Sequence, residues 1–217
     1  MVIPQVVSRQ RVADHGEVYT HPREVNAMLD LVRHETERIE SRFLEPACGT
    51  GNFLVEIVAR KLAVVKAKYA KTQLEYERYA AIAIGSVYGI ELLADNVLAC
   101  QQRLFLLFDQ QYTQLYEARC KQACRETIRF ILRRNILQGD ALTLTTVAEP
   151  TEPIVFSEWS VINDGLIRRR DFKFAHLINR ADSHSLLLFS GSGEETCLRE
   201  PVKEYMPICL FALATQE

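Results

Sequence analysis

The sequence predicts an α/β fold of three layers, with helices on both faces of a mostly parallel sheet, and three segments carry that reading. Phe43-Leu44 is a short apolar run that enters Glu45-Pro46 and two close glycines, Gly49 and Gly51, before a helical stretch opens at Phe53. Val87-Tyr88-Gly89-Ile90-Glu91 is a β-branched and aromatic run that ends in an acid. Asn135-Ile136-Leu137-Gln138 is the third, and it exits through Gly139-Asp140. Long helical stretches separate the three, as parallel neighbours require, because a parallel partner is reached only by a crossover.

Composition bounds the class. The 217 residues suffice for one sizeable domain, and 48% hydrophobic with 25% charged residues argues for a soluble globular chain rather than a disordered one. A net charge of −2 argues against broad, non-specific nucleic-acid binding but leaves room for a local basic face. The six cysteines (48, 100, 120, 124, 197 and 209) form no C-x-x-C pair, and no histidine follows Cys120 and Cys124 closely, so free thiols, no metal and a reducing compartment are expected. Met1–Gln10 lacks a signal-peptide layout and no stretch has the length of a membrane span, which makes a cytoplasmic location the expectation.

Along the chain, residues 1–16 read as an irregular arm. In Arg23–His34, Val25, Met28, Leu29 and Val32 recur at helical spacing, with Thr20 or His21 as the cap and Pro22 in the first turn, where its missing N–H costs nothing. Phe53–Ala83 has no proline or glycine and reads as a long helical stretch with a solvated portion at Lys66–Tyr79, ended by Gly85. Asp95–Leu107 and residues 109–134 continue helically, closing on Arg129, Arg133 and Arg134. Beyond them lie a candidate fourth strand at Ile154–Phe156, a turn at Asn163-Asp164-Gly165, and late strands at Ser185–Phe189 and Ile208–Ala214 around a loop at Ser190–Gly193.

Glycines at 49 and 51 permit positive φ and let backbone N–H groups approach a ligand, although a bare G-x-G also makes a plain strand-to-helix turn. The whole string Glu45-Pro46-Ala47-Cys48-Gly49-Thr50-Gly51-Asn52-Phe53-Leu54 is more specific. It resembles the S-adenosylmethionine (SAM) loop of amino-group DNA methyltransferases, the adenine-N6 type of restriction–modification systems. Gly16-Glu17-Val18-Tyr19-Thr20-His21-Pro22 resembles the N-terminal motif of the same family, with His21 inserted between Thr20 and Pro22. Tyr88-Gly89-Ile90-Glu91-Leu92 is similar to its ribose motif, and Gly139-Asp140-Ala141-Leu142 to its adenine motif.

The resemblance covers about residues 16–142. It implies a Rossmann-like SAM-dependent methyltransferase core, α/β/α, in a single domain: arm and first helix at 1–35, SAM-binding core at 36–145, and an abbreviated C-terminal half at 146–217. It implies that Glu45, Pro46, Ala47, Gly49, Gly51 and Asn52 hold the methionine end of the cofactor. Glu91 would take the ribose, Asp140 and Ala141 the adenine, and Tyr19 and Thr20 would close over it. DNA would be the acceptor.

One family element is missing. Adenine-N6 enzymes carry an Asp/Asn/Ser-Pro-Pro-Tyr/Phe tetrapeptide at the end of the fourth strand, where it orients a flipped base so that its amino nitrogen faces the methyl carbon. These 217 residues contain no Pro-Pro. At the corresponding place stand Ser157-Glu158-Trp159, of which Glu158 is a candidate acceptor from an amino group and Trp159 a candidate stacking ring. The basic run Arg168-Arg169-Arg170, with Lys173, is a candidate grip for phosphates or RNA, or else a solvated helix start. Two functions stay open: a SAM-dependent adenine methyltransferase or its cofactor-binding part, completed by a divergent site or a separate subunit; and a catalytically silent SAM-binding partner in a restriction–modification or defence complex.

Overall fold

The structure, a computed structural model, describes residues 8–15, 17–162, 165–178 and 200–216. It is a mixed α/β molecule with two small sheets. Strands β1 (Phe43–Glu45), β2 (Val87–Glu91) and β3 (Ile136–Gln138) run parallel, with β2 in the centre. Leu44 lies opposite Tyr88, and Ile90 opposite Leu137. Helices α4 (Asn52–Tyr69) and α5 (Gln73–Gly85) cross from β1 to β2; α6 (Ala94–Tyr116) and α7 (Gln122–Asn135) cross from β2 to β3. Because all three strands point the same way, their exits gather at one edge of the sheet, where open α/β sheets present their ligands.

The two faces of this sheet are covered differently. Val87 and Ile136 point into a large core shared with α4 to α7, where α4 contributes Leu54, Ile57, Val58, Leu62 and Val65 at helical spacing. Tyr88 and Ile90 point the other way, into a smaller cluster with Ile154, Phe156 and Phe174. The Tyr88 and Phe156 rings meet edge to face at 5.2 Å, and Phe156 meets Phe174 the same way at 5.6 Å. Burial on both faces explains why β2 reads as a nearly continuous apolar run.

The helical expectations hold with changes. His21 caps α2 (Pro22–Asp30), its Nδ1 accepting from the Arg23 amide at 3.2 Å, and a short α3 (Arg33–Thr36) follows. The expected irregular arm contains a helix, α1 (Arg9–His15). The helical stretch expected over 53–83 forms two helices, parted at Ala70–Thr72, where the Tyr116 hydroxyl donates to the Ala70 carbonyl at 3.0 Å. Nor is Lys66–Tyr79 wholly solvated: Tyr76 and Glu77 are fully buried, Glu77 receiving the Tyr112 hydroxyl and the Lys121 ammonium, the latter at 2.9 Å.

The C-terminal part departs most. The expected fourth strand exists as β4 (Val155–Val161), but it pairs antiparallel with β5 (Ile167–Lys173), which pairs with β6 (Lys203–Glu204). The link between β4 and β5 is too short for a crossover and closes through Gly165 at φ +70°, so only an antiparallel partner is reachable. The basic run at 168–173 is therefore strand rather than helix start. Ile208 forms an isolated bridge with Ile167, and Leu210–Thr215 then coils into a 3₁₀ turn instead of the expected strand. There the Thr127 hydroxyl of α7 donates to the Leu210 carbonyl at 2.9 Å. The expected strand at Ser185–Phe189 and loop at Ser190–Gly193 lie outside the described residues.

Candidate functional site

A cleft of about 490 Å³ opens at the exits of the three parallel strands, a size suited to a drug-sized ligand. Its wall is built from four chain segments: the strap Glu17–Thr20, the loop after β1, the end of β2, and the turn after β3. Tyr19, Thr20, Glu45, Pro46, Ala47, Gly49, Asn52, Glu91, Asp140 and Ala141 all line it. Gly51 sits behind the wall.

The loop after β1 depends on its glycines. Gly51 precedes α4 at φ +85°, and a Cβ there would stand 2.5 Å from the Cys100 sulfur. Gly49 has φ +51° and lies under the Tyr19 ring, which a Cβ would approach to 3.1 Å. The Cys48 amide donates to the Ile90 carbonyl at 2.9 Å, tying the loop to the centre of the sheet. Cys48 itself points inward; its neighbour Cys100 and burial raise its thiol far above the ordinary range, so it is an inert packing group. The N-terminus of α4, with Asn52 and Phe53, faces the cleft and brings a helix dipole with it.

Glu91 fastens the loop from β2. One carboxylate oxygen accepts from the Gly49 amide at 2.9 Å and the other from the Leu93 amide at 3.0 Å. Each oxygen retains a lone pair for a ligand hydroxyl. Across the cleft, an Asp140 oxygen accepts from the Leu142 amide at 2.8 Å, closing an Asx turn that shapes the third wall. Glu45 lies at the end of β1, and burial raises its pKa above the usual carboxylate range.

The strap is pinned at both ends. Asn52 donates to the Thr20 carbonyl at 3.1 Å, while its own oxygen accepts from Arg103 at 2.9 Å. Arg103 also donates to the Thr50 carbonyl at 2.6 Å, bracing the loop from α6. At the other end Glu17 accepts from Asn96 Nδ2 of α6 at 2.5 Å and from the Tyr19 hydroxyl at 2.9 Å, and burial together with Glu17 pushes that phenol up to about 12. Glu17, Asn96 and Arg103 take part in the site although none of them is singled out as a site residue from the sequence. Glu17 falls inside the Tyr-Thr motif; Asn96 and Arg103 become neighbours of the cleft only through the packing of α6.

The remaining candidates lie elsewhere. Trp159 is buried edge to face against Phe130 and under Gly85, where a Cβ would stand 2.6 Å from its ring. Glu158 pairs with Arg42 at 2.8 Å and Arg170 at 2.5 Å. Neither lines the cleft. Alternation along β5 splits the basic run: Arg169 is fully buried in a bidentate pair with Asp171 at 2.9 and 2.8 Å, whereas Arg168 and Arg170 lean toward Glu204 and Glu158. Lys173 lies at the far end of the same strand, half-buried. The four residues form no continuous cationic surface.

The charge of the cleft wall is one-sided. Four carboxylates line it, Glu17, Glu45, Glu91 and Asp140, and no lysine or arginine does among the described residues. The family model described as MmeI, DNA-methyltransferase domain, matches residues 20–152, more than half of the chain. The chain belongs to that family. No curated protein and no solved structure matches it. The matched span runs from the strap through the Asp140 turn and stops just before β4, so the MmeI methyltransferase family accounts for every wall of the cleft except Glu17, Val18 and Tyr19. Among the described residues no group of side chains is arranged to hold a metal, and no helix is long and apolar enough to cross a membrane.

Proposed function

We propose that the cleft binds S-adenosylmethionine and that the chain is the cofactor-binding part of an adenine-N6 DNA methyltransferase, built on a Rossmann-like core. The observation that carries this reading is the charge of the wall. A glycine loop before a helix serves phosphate-bearing nucleotides equally well, but a phosphate chain among Glu45, Glu91 and Asp140 would meet like charge on every side. SAM carries a sulfonium and an ammonium, which those carboxylates favour, and one carboxylate, which the α4 N-terminus favours.

The residues fit that group. Glu45 and the Gly49–Asn52 turn would hold the methionine end, and Glu91 would accept from ribose hydroxyls through its spare lone pairs. The free Asp140 oxygen would accept from the adenine amino group, with the Ala141 amide beside it. Tyr19 and Thr20 would cover the cofactor. When bound, SAM supplies an electrophilic methyl carbon; the chain's part is to orient it and exclude water. DNA is the acceptor that the family implies.

A second reading has its own observation. The missing Pro-Pro and the antiparallel pairing of β4 leave no base-orienting strand beside β1 among the described residues. A SAM-binding partner subunit of a restriction–modification or defence complex, itself silent or completed by another chain, fits that arrangement.

Transfer of labelled methyl from SAM to unmethylated DNA separates the two. Incorporation by the purified chain, lost in Asp140→Asn, supports the enzyme. SAM binding without incorporation supports the partner subunit, and no SAM binding rejects both.

A further inference from the structure

Helix α1 reaches the cleft through one side chain. The Arg11 guanidinium grips Glu17 through two nitrogens, the second at 2.9 Å, and spans to Asp95 on the first turn of α6 at 2.6 Å. Asp95 and Glu17 are both held below the ordinary carboxylate range, chiefly by Arg11. The Glu17 side chain is only 7% exposed and accepts in addition from Asn96 Nδ2 at 2.5 Å and from the Tyr19 hydroxyl. Tyr19 in turn lies on Gly49. A continuous set of contacts therefore runs from α1 through Glu17 and Tyr19 to the glycine loop.

The two ends of the strap are fixed by different means. Its C-terminal end is held by one amide of Asn52 on the Thr20 carbonyl and continues directly into α2. Its N-terminal end hangs on Glu17, whose position depends on Arg11 from outside the cleft wall. We propose that Arg11 is a positioning residue for the cleft: by joining Glu17 to Asp95 it latches the strap 17–20 over the glycine loop and sets how long a bound cofactor stays. Arg11 itself does not line the cleft. This rests on the SAM reading above for the identity of the ligand, though not for the latch itself.

A fork geometry is needed because one donor group must satisfy two carboxylates on different elements, which a lysine ammonium does less well. Removing the guanidinium leaves the buried Glu17 with neutral donors only, and the strap opens more often. Such a change acts on release more than on capture, since the cleft walls that receive the ligand are intact.

The test uses the full chain and the Arg11→Ala and Arg11→Lys variants, with two readouts. Hydrogen exchange of the ligand-free protein reads the strap, and stopped-flow displacement of SAM reads its release. Arg11→Ala should speed strap exchange and raise the SAM dissociation rate about ten-fold at an unchanged association rate, with Arg11→Lys between it and wild type. Unchanged strap exchange in Arg11→Ala overturns the latch. Faster exchange with an unchanged dissociation rate overturns its control of residence. Failure of the wild-type chain to bind SAM rejects the ligand assignment instead, and strap exchange then decides the latch alone.

Discussion

The Glu91 carboxylate, at the end of the central strand, accepts the Gly49 amide at 2.9 Å, so the acid of β2 holds in place the glycine loop of β1. The two motifs, far apart in sequence, are parts of one object. Its second oxygen holds the Leu93 amide and so fixes the entry into α6 as well. An acid at this position does two things: it shapes the loop, and it presents lone pairs to the cleft.

Glu91→Gln therefore tests both roles. The amide keeps one acceptor and turns its NH₂ toward a backbone N–H, at a cost of about 1–3 kcal/mol. SAM affinity should fall roughly ten-fold or more, with a modest loss of thermal stability. Calorimetric titration and a melting curve check the two arms.

Gly51→Ala should cost stability whether or not ligand is present. The residue sits at φ +85° and its new methyl would stand 2.5 Å from the Cys100 sulfur. Backbone strain alone accounts for about 1–3 kcal/mol. Adding Cys100→Ala should return the contact part of the loss and leave the strain, which urea unfolding of the single and double variants would resolve.

Trp159→Ala and Glu158→Gln distinguish a structural role from a part in a base-binding site. Trp159 fills the space between α5 and α7, so its truncation should cost about 3–5 kcal/mol, as for large core aromatics. Glu158→Gln removes partly exposed ion pairs and should change stability by about 0–1 kcal/mol. Neither should alter SAM affinity.

Lys61 sets a pH dependence far from the cleft. Its ammonium is fully buried among the Ile39 and Ser41 carbonyls and the Ser86 hydroxyl, and burial pushes its pKa down to about 7 from 10.5. Between those values the unfolded chain binds the proton and the folded chain does not, so stability from this group rises with pH across that window. Below about pH 7 both states are charged and the full penalty remains. Unfolding free energies of wild type minus Lys61→Met, taken from pH 6 to 10, should climb; a flat difference would mean that the hydrogen bonds hold the charge.

The cleft was legible in the sequence because its walls are local motifs. Glu45–Asn52, Val87–Glu91 and Gly139–Ala141 are each a distinctive short string, and parallel order follows from the long helices between them. Arg11, Asn96 and Arg103 escaped notice because their roles arise where α1 and α6 meet the strap and loop, a long-range contact that no local spacing records. The polar α1 lacks an apolar stripe. Ile208–Ala214 reads as a strand but coils from Leu210 on, because a short apolar run fits a strand or a buried turn equally well. The fate of β4 was hidden too, since alternation identifies a strand but not its partner.

An acidic cleft built for a sulfonium cofactor should bind SAM on its own, which equilibrium titration of the purified chain measures. Asp140→Asn is the informative control, because asparagine keeps the Asx turn to the Leu142 amide while replacing the free acceptor oxygen with a donor. Saturable SAM binding, weakened in Asp140→Asn and undisturbed by excess ATP or NAD, is the result predicted. Absence of SAM binding, or preference for a phosphate-bearing nucleotide, would contradict it.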